Sequence, residues 1–233
     1  MSTKMLKLEQ IWDGYVRGWY PKDKAAQRNM SPLRKQGNYI RYLDGEAFGK
    51  YRFDASRYVV YRDGGLNDPL EFQKFFSRYY VRQYDIVLLR VSNTGLKFRL
   101  VEEIDEEKQY VFGCNYIILR PKYSNLLKEL ESANWMGDRI EQVKKERELN
   151  SWFLMAVLSS SPMKERFSAM FGKRQFILLD ELKSIDVPYP ELPVRKRIAL
   201  EFKAQYQAQT VSITNMLANQ KIMNSLLFNN VGD

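Results

Sequence analysis

Continuous and alternating apolar runs dominate the chain between residues 39 and 120, and short polar turns separate them. Such runs, rich in Tyr, Ile, Val and Leu and ended by Asp-Gly or other glycine turns, are typical of β-strands. The pattern predicts strands in five segments: NYIRYL, RYVVYR, YDIVLLRV, LKFRLVEE and QYVFGCNYIILR, the last with a turn signal at Gly113. The third run stops abruptly at Ser92-Asn93-Thr94-Gly95.

The pattern changes to a helical one after residue 124. Residues 124–150 are highly charged with helical spacing, and SWFLMAVLSSSPMKERFSAMF predicts a helix, a break at Pro162 and a second helix. A short helix is expected around residues 179–184, followed by the strand-like run IDVPYP. Its prolines, together with Pro193, predict a stiff linker.

The last segment predicts one long helix, because residues 194–231 contain neither Gly nor Pro. A spacing of three and four residues marks a mostly apolar seam along it. A single helix cannot bury such a seam by itself, so a second helix is expected beside it, although the helix could instead fold back on its own domain. The side chains proposed to associate in a homodimer are Phe202, Tyr206, Ile213, Met216, Met223 and Leu227.

The charge is unevenly distributed and favours a polyanionic partner. The chain carries 37 Lys and Arg against 28 Asp and Glu, a net charge of +9. The excess is greatest in residues 34–99, which hold 13 basic and seven acidic side chains, with arginine more frequent than lysine and tyrosines between the arginines. This pattern indicates nucleic-acid binding as readily as a sheet with a solvated basic face.

Composition excludes several kinds of chemistry. The chain has no histidine and one cysteine, Cys114, which removes Ser-His-Asp and Cys-His catalysis, intramolecular disulfides and a cysteine-based zinc site. Neither a phosphate loop nor a G-x-G-x-x-G turn occurs in the sequence. We therefore expect no catalytic residue, no metal and no cofactor. With no signal-like or membrane-spanning apolar stretch, we expect a cytoplasmic protein.

Two other functions remain open from the residues alone. Asp85, Glu106 and Lys108 loosely resemble the core of a metal-dependent nuclease, although charged runs of this kind are common at solvated hairpin ends. The alternative is a coiled-coil adaptor whose basic face binds nucleic acid or an acidic protein.

The order of the motifs resembles one target-recognition unit of the specificity subunit of type I restriction-modification systems. The matching pieces are KLEQIWDGYVRGWYPKD, DIVLLRVSNTGLK, VFGCNYIILRPK, WFLMAVLSSSPMKERF and GKRQFILLDELKSIDVPYPELPVRKRI, followed by the long helix. The most specific feature is the succession of a Gly-led turn at Gly172, a short helix, the Pro188/Pro190 pair and a long helix with a basic start.

The resemblance implies an α+β fold: a mixed recognition domain with a β-rich core, residues 1–190, followed by one long coiled-coil helix, residues 191–233. It implies that this domain reads one half of a bipartite double-stranded DNA site. The implied partners are a DNA adenine methyltransferase subunit and a restriction/translocase subunit. Typical members carry two domains and two helices, so the chain is expected to be either a half-subunit that dimerises or a piece of a longer protein.

The residues expected to contact DNA lie on turns and in the basic segment, where they would meet phosphates or base edges. They are Arg34, Lys35, Arg41, Ser92, Asn93, Thr94, Lys97, Asn115, Tyr116, Lys173, Arg174 and Gln175.

Overall fold

The computed structural model describes residues 4–17, 39–43, 57–60, 69–89, 97–104, 109–133, 137–171 and 177–228. Of these, residues 17, 39–42, 57–60, 69, 72, 73, 128, 171 and 213–228 are described in backbone only. Nine strands occur in these segments: β1 (Lys4–Lys7), β2 (Trp12–Arg17), β3 (Tyr39–Leu43), β4 (Arg57–Val60), β5 (Ile86–Leu89), β6 (Lys97–Leu100), β7 (Tyr110–Phe112), β8 (Tyr116–Pro121) and β9 (Asp186–Tyr189). The α-helices are α1 (Pro69–Ser77), α2 (Ser124–Ser132), α3 (Asp138–Ser159), α4 (Ser161–Phe171), α5 (Leu179–Lys183) and α6 (Leu192–Phe228).

The largest sheet is antiparallel and has the strand order β2-β8-β5-β6. Its central strands are the apolar runs IVLL and YIILRP, which are buried almost completely because helices cover the sheet. The predicted strands in the third, fourth and fifth apolar segments are confirmed. The fifth divides into β7 and β8 at the predicted turn after Gly113.

A second sheet joins the first through the short turn between β7 and β8. Its strand order is β4-β3-β7, with β3 parallel to β7 and antiparallel to β4. Leu43, Phe112 and Ile118 belong to one buried cluster that both sheets share. The two sheets therefore form one continuous β-rich core.

The amino-terminal strand β1 pairs with β9, so the two ends of the recognition region meet in a two-stranded sheet. Pro188 lies opposite Met5 in this pair. Lys7 Nζ lies 2.8 Å from an Asp186 carboxylate oxygen. The predicted stiff linker is thus wrong for residues 186–189, which form a strand. Proline is tolerated there because a strand of a two-stranded sheet has a free edge, where no backbone N–H is needed for pairing.

Helix α3 supplies much of the apolar core. Its charged first half gives way to the run WFLMAVL, which is buried except for Ala156. The break before α4 falls at Ser160, and Pro162 lies in the first turn of α4, where its missing N–H costs no hydrogen bond. The helix–break–helix pattern is confirmed, with the break two residues earlier than predicted.

The long helix α6 begins at Leu192 and runs for 37 residues, about 55 Å. Its first turns pack on α3: the Trp152 ring lies 6.4 Å from Phe202 and 5.6 Å from Tyr206 between centroids. Phe202 and Tyr206 are half-buried and pack in part against the chain's own core, as expected if the helix folds back on its own domain, and their place in an intermolecular seam stays a prediction. The predicted fold class, α+β with a β-rich core and one long carboxy-terminal helix, is confirmed.

Candidate nucleic-acid interface

One end of the large sheet brings together chain segments that are distant in sequence. Leu89 is paired with Lys97 on one side and with Tyr116 on the other. On the far side of β8, Arg17 is paired with Ile117. We call the end of the sheet formed by these residues the Leu89 end. Here β2 and β5 finish while β6 and β8 begin.

The flanks of the candidate turn lie at the Leu89 end. Ser92, Asn93 and Thr94 themselves are outside the described residues, but Leu89 before them and Lys97 after them are directly paired and the Lys97 side chain is exposed. The predicted strand that carries the turn and its antiparallel return strand are both confirmed. DNA contact by the turn residues stays a prediction.

The turn between β7 and β8 lies at the same end, and it separates two predicted contacts. Asn115 is exposed there. Tyr116 is only 3% exposed, and its ring packs 4.9 Å from the Phe112 ring. Tyr116 is therefore corrected from a DNA contact to a core residue, because both faces of β8 are covered and every residue of the strand is buried.

The second sheet also reaches the Leu89 end. The Gly113 N–H donates to the Leu43 carbonyl at 3.2 Å, so β3 finishes beside the β7–β8 turn. Arg41 lies two residues before Leu43, and its backbone is paired with Tyr58 and Tyr110. The structure thus places the Arg41 backbone in the middle strand of that sheet, and its role toward DNA stays a prediction.

Helix α4 approaches the same region. The Phe167 ring lies 5.5 Å from the Phe98 ring, and Phe98 follows Lys97 in β6. Two further groups of predicted contacts lie outside the described residues, one beyond β2 and one beyond α4. They are Arg34 and Lys35, and Lys173, Arg174 and Gln175.

The opposite end of the sheet carries a buried charge cluster, and we call it the Asp85 end. Asp85 is fully buried, and the Arg120 Nε lies 3.4 Å from its Oδ2. The Arg82 backbone N–H donates to the same oxygen at 3.0 Å, and Arg120 Nη2 donates to the Tyr80 carbonyl. Burial raises the pKa of the Asp85 carboxyl, whereas the Arg120 guanidinium lowers it.

The cluster assigns Asp85 a structural role. A fully buried carboxylate that already binds a guanidinium and a backbone amide is poorly placed to hold a catalytic cation. Its proposed nuclease partners, Glu106 and Lys108, lie outside the described residues. Within the described segments, no group of three or more Asp, Glu or Cys side chains lies close enough together to hold a metal ion.

Sequence reasoning missed two features of this end. Helix α1 was read as part of a strand-rich region, although Asp68-Pro69 is a typical helix start. Just after α1, the guanidinium of exposed Arg78 lies 4.8 Å from the Phe75 ring centroid and 4.7 Å from that of Tyr79. The buried Arg147 was also missed, and its position four residues after buried Val143 on α3 is the signal that places it on an inward face.

Comparison with known proteins gives similarity only among solved structures. No family model and no curated protein matches the chain. The crystal structure of the HsdS subunit from Thermoanaerobacter tengcongensis is 14% identical, with a TM-score of 0.49, over 92% of this chain and 39% of that one. A structure from a study of complex assembly and conformational transition of the type I R-M system is 15% identical, with a TM-score of 0.49, over 97% of this chain and 43% of that one. The chain spans less than half the length of either.

The described helices include none that is long and apolar enough to cross a membrane.

Proposed function

We propose that this chain is the sequence-specific DNA-binding subunit of a type I restriction-modification system. In this proposal it reads one half of a bipartite site through the Leu89 end and holds a methyltransferase subunit and a restriction/translocase subunit in register with that site. It is non-catalytic, and the chemistry belongs to those partners. The system is taken from the motif resemblance, and the binding surface from the geometry of the sheet.

The observation that carries the proposal is the pairing of Leu89 with both Lys97 and Tyr116. It brings the flanks of the Ser92–Gly95 segment, the exposed Asn115 and the end of β3 together at the Leu89 end. Leu43, Leu89 and Lys97 belong to the most basic part of the chain, residues 34–99, and Asn115 lies outside it. A rigid sheet that presents several turns at one edge suits major-groove readout, where a few side chains must be held at fixed positions.

Helix α6 supports the bipartite arrangement. On α6, Gln207 Nε2 donates to Glu102 Oε2 of the recognition region, at 3.2 Å. The helix backbone continues to Phe228, about 30 Å further. A second helix packed on this extension would separate two recognition domains by a fixed distance, as a target with two half-sites requires.

Selection from a library of random DNA duplexes tests the function. We expect the protein to enrich one defined half-site motif, or two such motifs at a fixed spacing, with affinity that falls steeply as salt rises. Equal affinity for RNA, with no enriched motif, would instead support a basic adaptor. Magnesium-dependent cutting of plasmid DNA that Glu106→Ala abolishes would support the nuclease alternative.

Self-association is a separate part of the proposal. Ile213, Met216, Met223 and Leu227 are its proposed seam on the extended half of α6. We expect the natural protein to be a dimer in sedimentation velocity and the Ile213→Asp plus Met216→Asp variant to be a monomer, because two buried carboxylates would be left unpaired. The control is Val211→Asp plus Ser212→Asp, at exposed positions. A natural protein that is already monomeric contradicts the dimer.

A further inference from the structure

A cleft of about 310 Å³ opens at the Asp85 end of the large sheet. It lies between the end of α1, the segment that leads into β5, and helices α2 and α3. Its lining residues are Ser77, Tyr80, Val81, Arg82, Ser124, Leu127, Glu131 and Arg147. Strand β8 begins with Tyr116 at the Leu89 end, and Arg120 of the Asp85 cluster lies about 13 Å further along it. The cleft is therefore separate from the Leu89 end, where DNA is proposed to bind.

Arg147 is an unusual lining residue, because its side chain is only 7% exposed. Its Nη2 donates to the Gln83 carbonyl, while its Nε finds no acceptor among the described residues. Nor does any carboxylate of the described segments lie within ion-pair distance of it. Asp85 interacts with Arg147 electrostatically but from beyond that distance, so the Nε N–H stays unsatisfied. A buried guanidinium N–H without an acceptor is costly, and a ligand or ion in the cleft would supply one.

The carboxylates around the cleft already have cationic partners. Asp85 is bound to Arg120, and Glu148 lies 2.6 Å from Lys203 Nζ. Glu131 lines the cleft and would oppose an anion, but Lys144 Nζ lies 3.8 Å from its carboxylate. Arg147 therefore remains the cation of the lining that has no carboxylate of the described segments at ion-pair distance.

The hydroxyl groups in the lining are committed elsewhere. Ser77 Oγ donates to the Lys74 carbonyl, Ser124 Oγ to the Pro121 carbonyl, and Tyr80 Oη to Gln109 Oε1. A ligand in the cleft would consequently meet guanidinium N–H groups as its available donors. Guanidinium groups bind oxyanions best, because their N–H groups match two oxygens of a phosphate or carboxylate.

We propose that this cleft binds a phosphate group, with Arg147 as the principal contact. The volume accommodates inorganic phosphate or the phosphate of a mononucleotide. This proposal does not rest on the proposed DNA-binding function, because the cleft lies at the other end of the sheet.

Isothermal titration with inorganic phosphate, at constant ionic strength and with chloride as the balancing anion, tests the site. We expect saturable binding to the full-length protein, and about tenfold weaker binding to Arg147→Met, since a charged hydrogen-bonded contact is lost. Arg139→Met, at an exposed position on the same helix, is the matched control and should bind as the natural protein does. Absence of saturable binding, or equal affinity in Arg147→Met, overturns the proposal.

A second variant decides the matter should Arg147→Met fail to fold. Glu131→Gln removes the negative charge in the lining from an exposed side chain, so it leaves the core intact. Phosphate should bind about threefold more tightly to it. An unchanged dissociation constant in a folded Glu131→Gln protein overturns the proposal.

Two further titrations identify the source of the phosphate. A mononucleotide that competes with inorganic phosphate, while a bound duplex leaves phosphate binding unchanged, assigns the site to a free ligand. Phosphate binding that a duplex blocks, together with weaker DNA binding by Arg147→Met, assigns it to a phosphate of the DNA backbone.

Discussion

The two ends of the four-stranded sheet both carry basic residues, but these are buried at one end and exposed at the other. At the Asp85 end, arginines are buried and held by a carboxylate and backbone carbonyls. At the Leu89 end, the described polar side chains Lys97 and Asn115 are exposed, and the chain leaves the sheet into turn segments. A basic residue at one end therefore contributes to the fold, and at the other it is available to a partner. Counting basic residues in the sequence cannot separate these roles.

The largest effect should come from breaking the buried cluster. Asp85→Ala leaves Arg120 without its carboxylate, and we expect the free energy of unfolding to fall by about 3–5 kcal/mol. Urea denaturation measures it, with Asp180→Ala as the control, because the Asp180 side chain is 94% exposed. A loss below about 1 kcal/mol would contradict the structural role of the cluster.

DNA affinity should respond to the basic residues that are predicted to contact DNA. Lys173→Ala plus Arg174→Ala removes two basic side chains from the segment that follows α4, and we expect DNA binding to weaken by about tenfold or more. The slope of log affinity against log salt should become shallower by about two, as expected for two lost phosphate contacts. Fluorescence anisotropy across a salt series measures both quantities. An unchanged slope would exclude these side chains as phosphate contacts, whatever the affinity at one salt concentration.

The protonation of Asp85 gives a smaller, pH-dependent effect. Burial is the largest influence on this carboxyl and raises its pKa above the ordinary value of 3.8. The folded protein then holds the proton more tightly than the unfolded chain. Consequently, the stability of the natural protein relative to Asp85→Asn should fall as the pH rises through the folded pKa. Urea unfolding of both proteins between about pH 4 and pH 8 measures the difference. If the stability of the natural protein relative to Asp85→Asn instead grew with pH, the lowering of the Asp85 pKa by Arg120 would outweigh its raising by burial.

The smallest effect concerns a single exposed lysine. Lys97→Ala should weaken DNA binding by about threefold, and the folded protein should be unaffected because the side chain is exposed. Lys122→Ala provides the matched control, since Lys122 is exposed just beyond the opposite end of β8. Equal losses of DNA affinity in the two variants would indicate a diffuse electrostatic attraction rather than DNA binding at the Leu89 end.

Local pattern predicted most of the elements, because apolar runs and helix-forming segments are properties of neighbouring residues. The strands around Leu89 and the long helix from Leu192 are examples. Pairing between distant segments could not be predicted from the sequence. Strand β1 pairs with β9, about 180 residues away, and no local signal specifies that contact. The same limit explains Phe202 and Tyr206, whose apolar spacing suits a partner helix or the chain's own α3 equally well.

The sequence predicted the strand that leads to the candidate site better than it predicted which residues belong to the site. The apolar run before Ser92 correctly predicted a buried strand, and this strand, β5, ends at Leu89. Tyr116 was misassigned because the sequence does not show that both faces of β8 are covered, which buries the strand from its first residue. Arg147 was overlooked because a charged helix suggests solvent exposure until the packing partner is known.

Site-specific photo-crosslinking tests the central claim most directly. A photoreactive phenylalanine analogue replaces Asn115 in one protein and Lys122 in another, both exposed and at opposite ends of β8. The account predicts a crosslink to the selected duplex from position 115 and none from position 122. Crosslinking from position 122 alone, or equally from both, would contradict the assignment of DNA recognition to the Leu89 end.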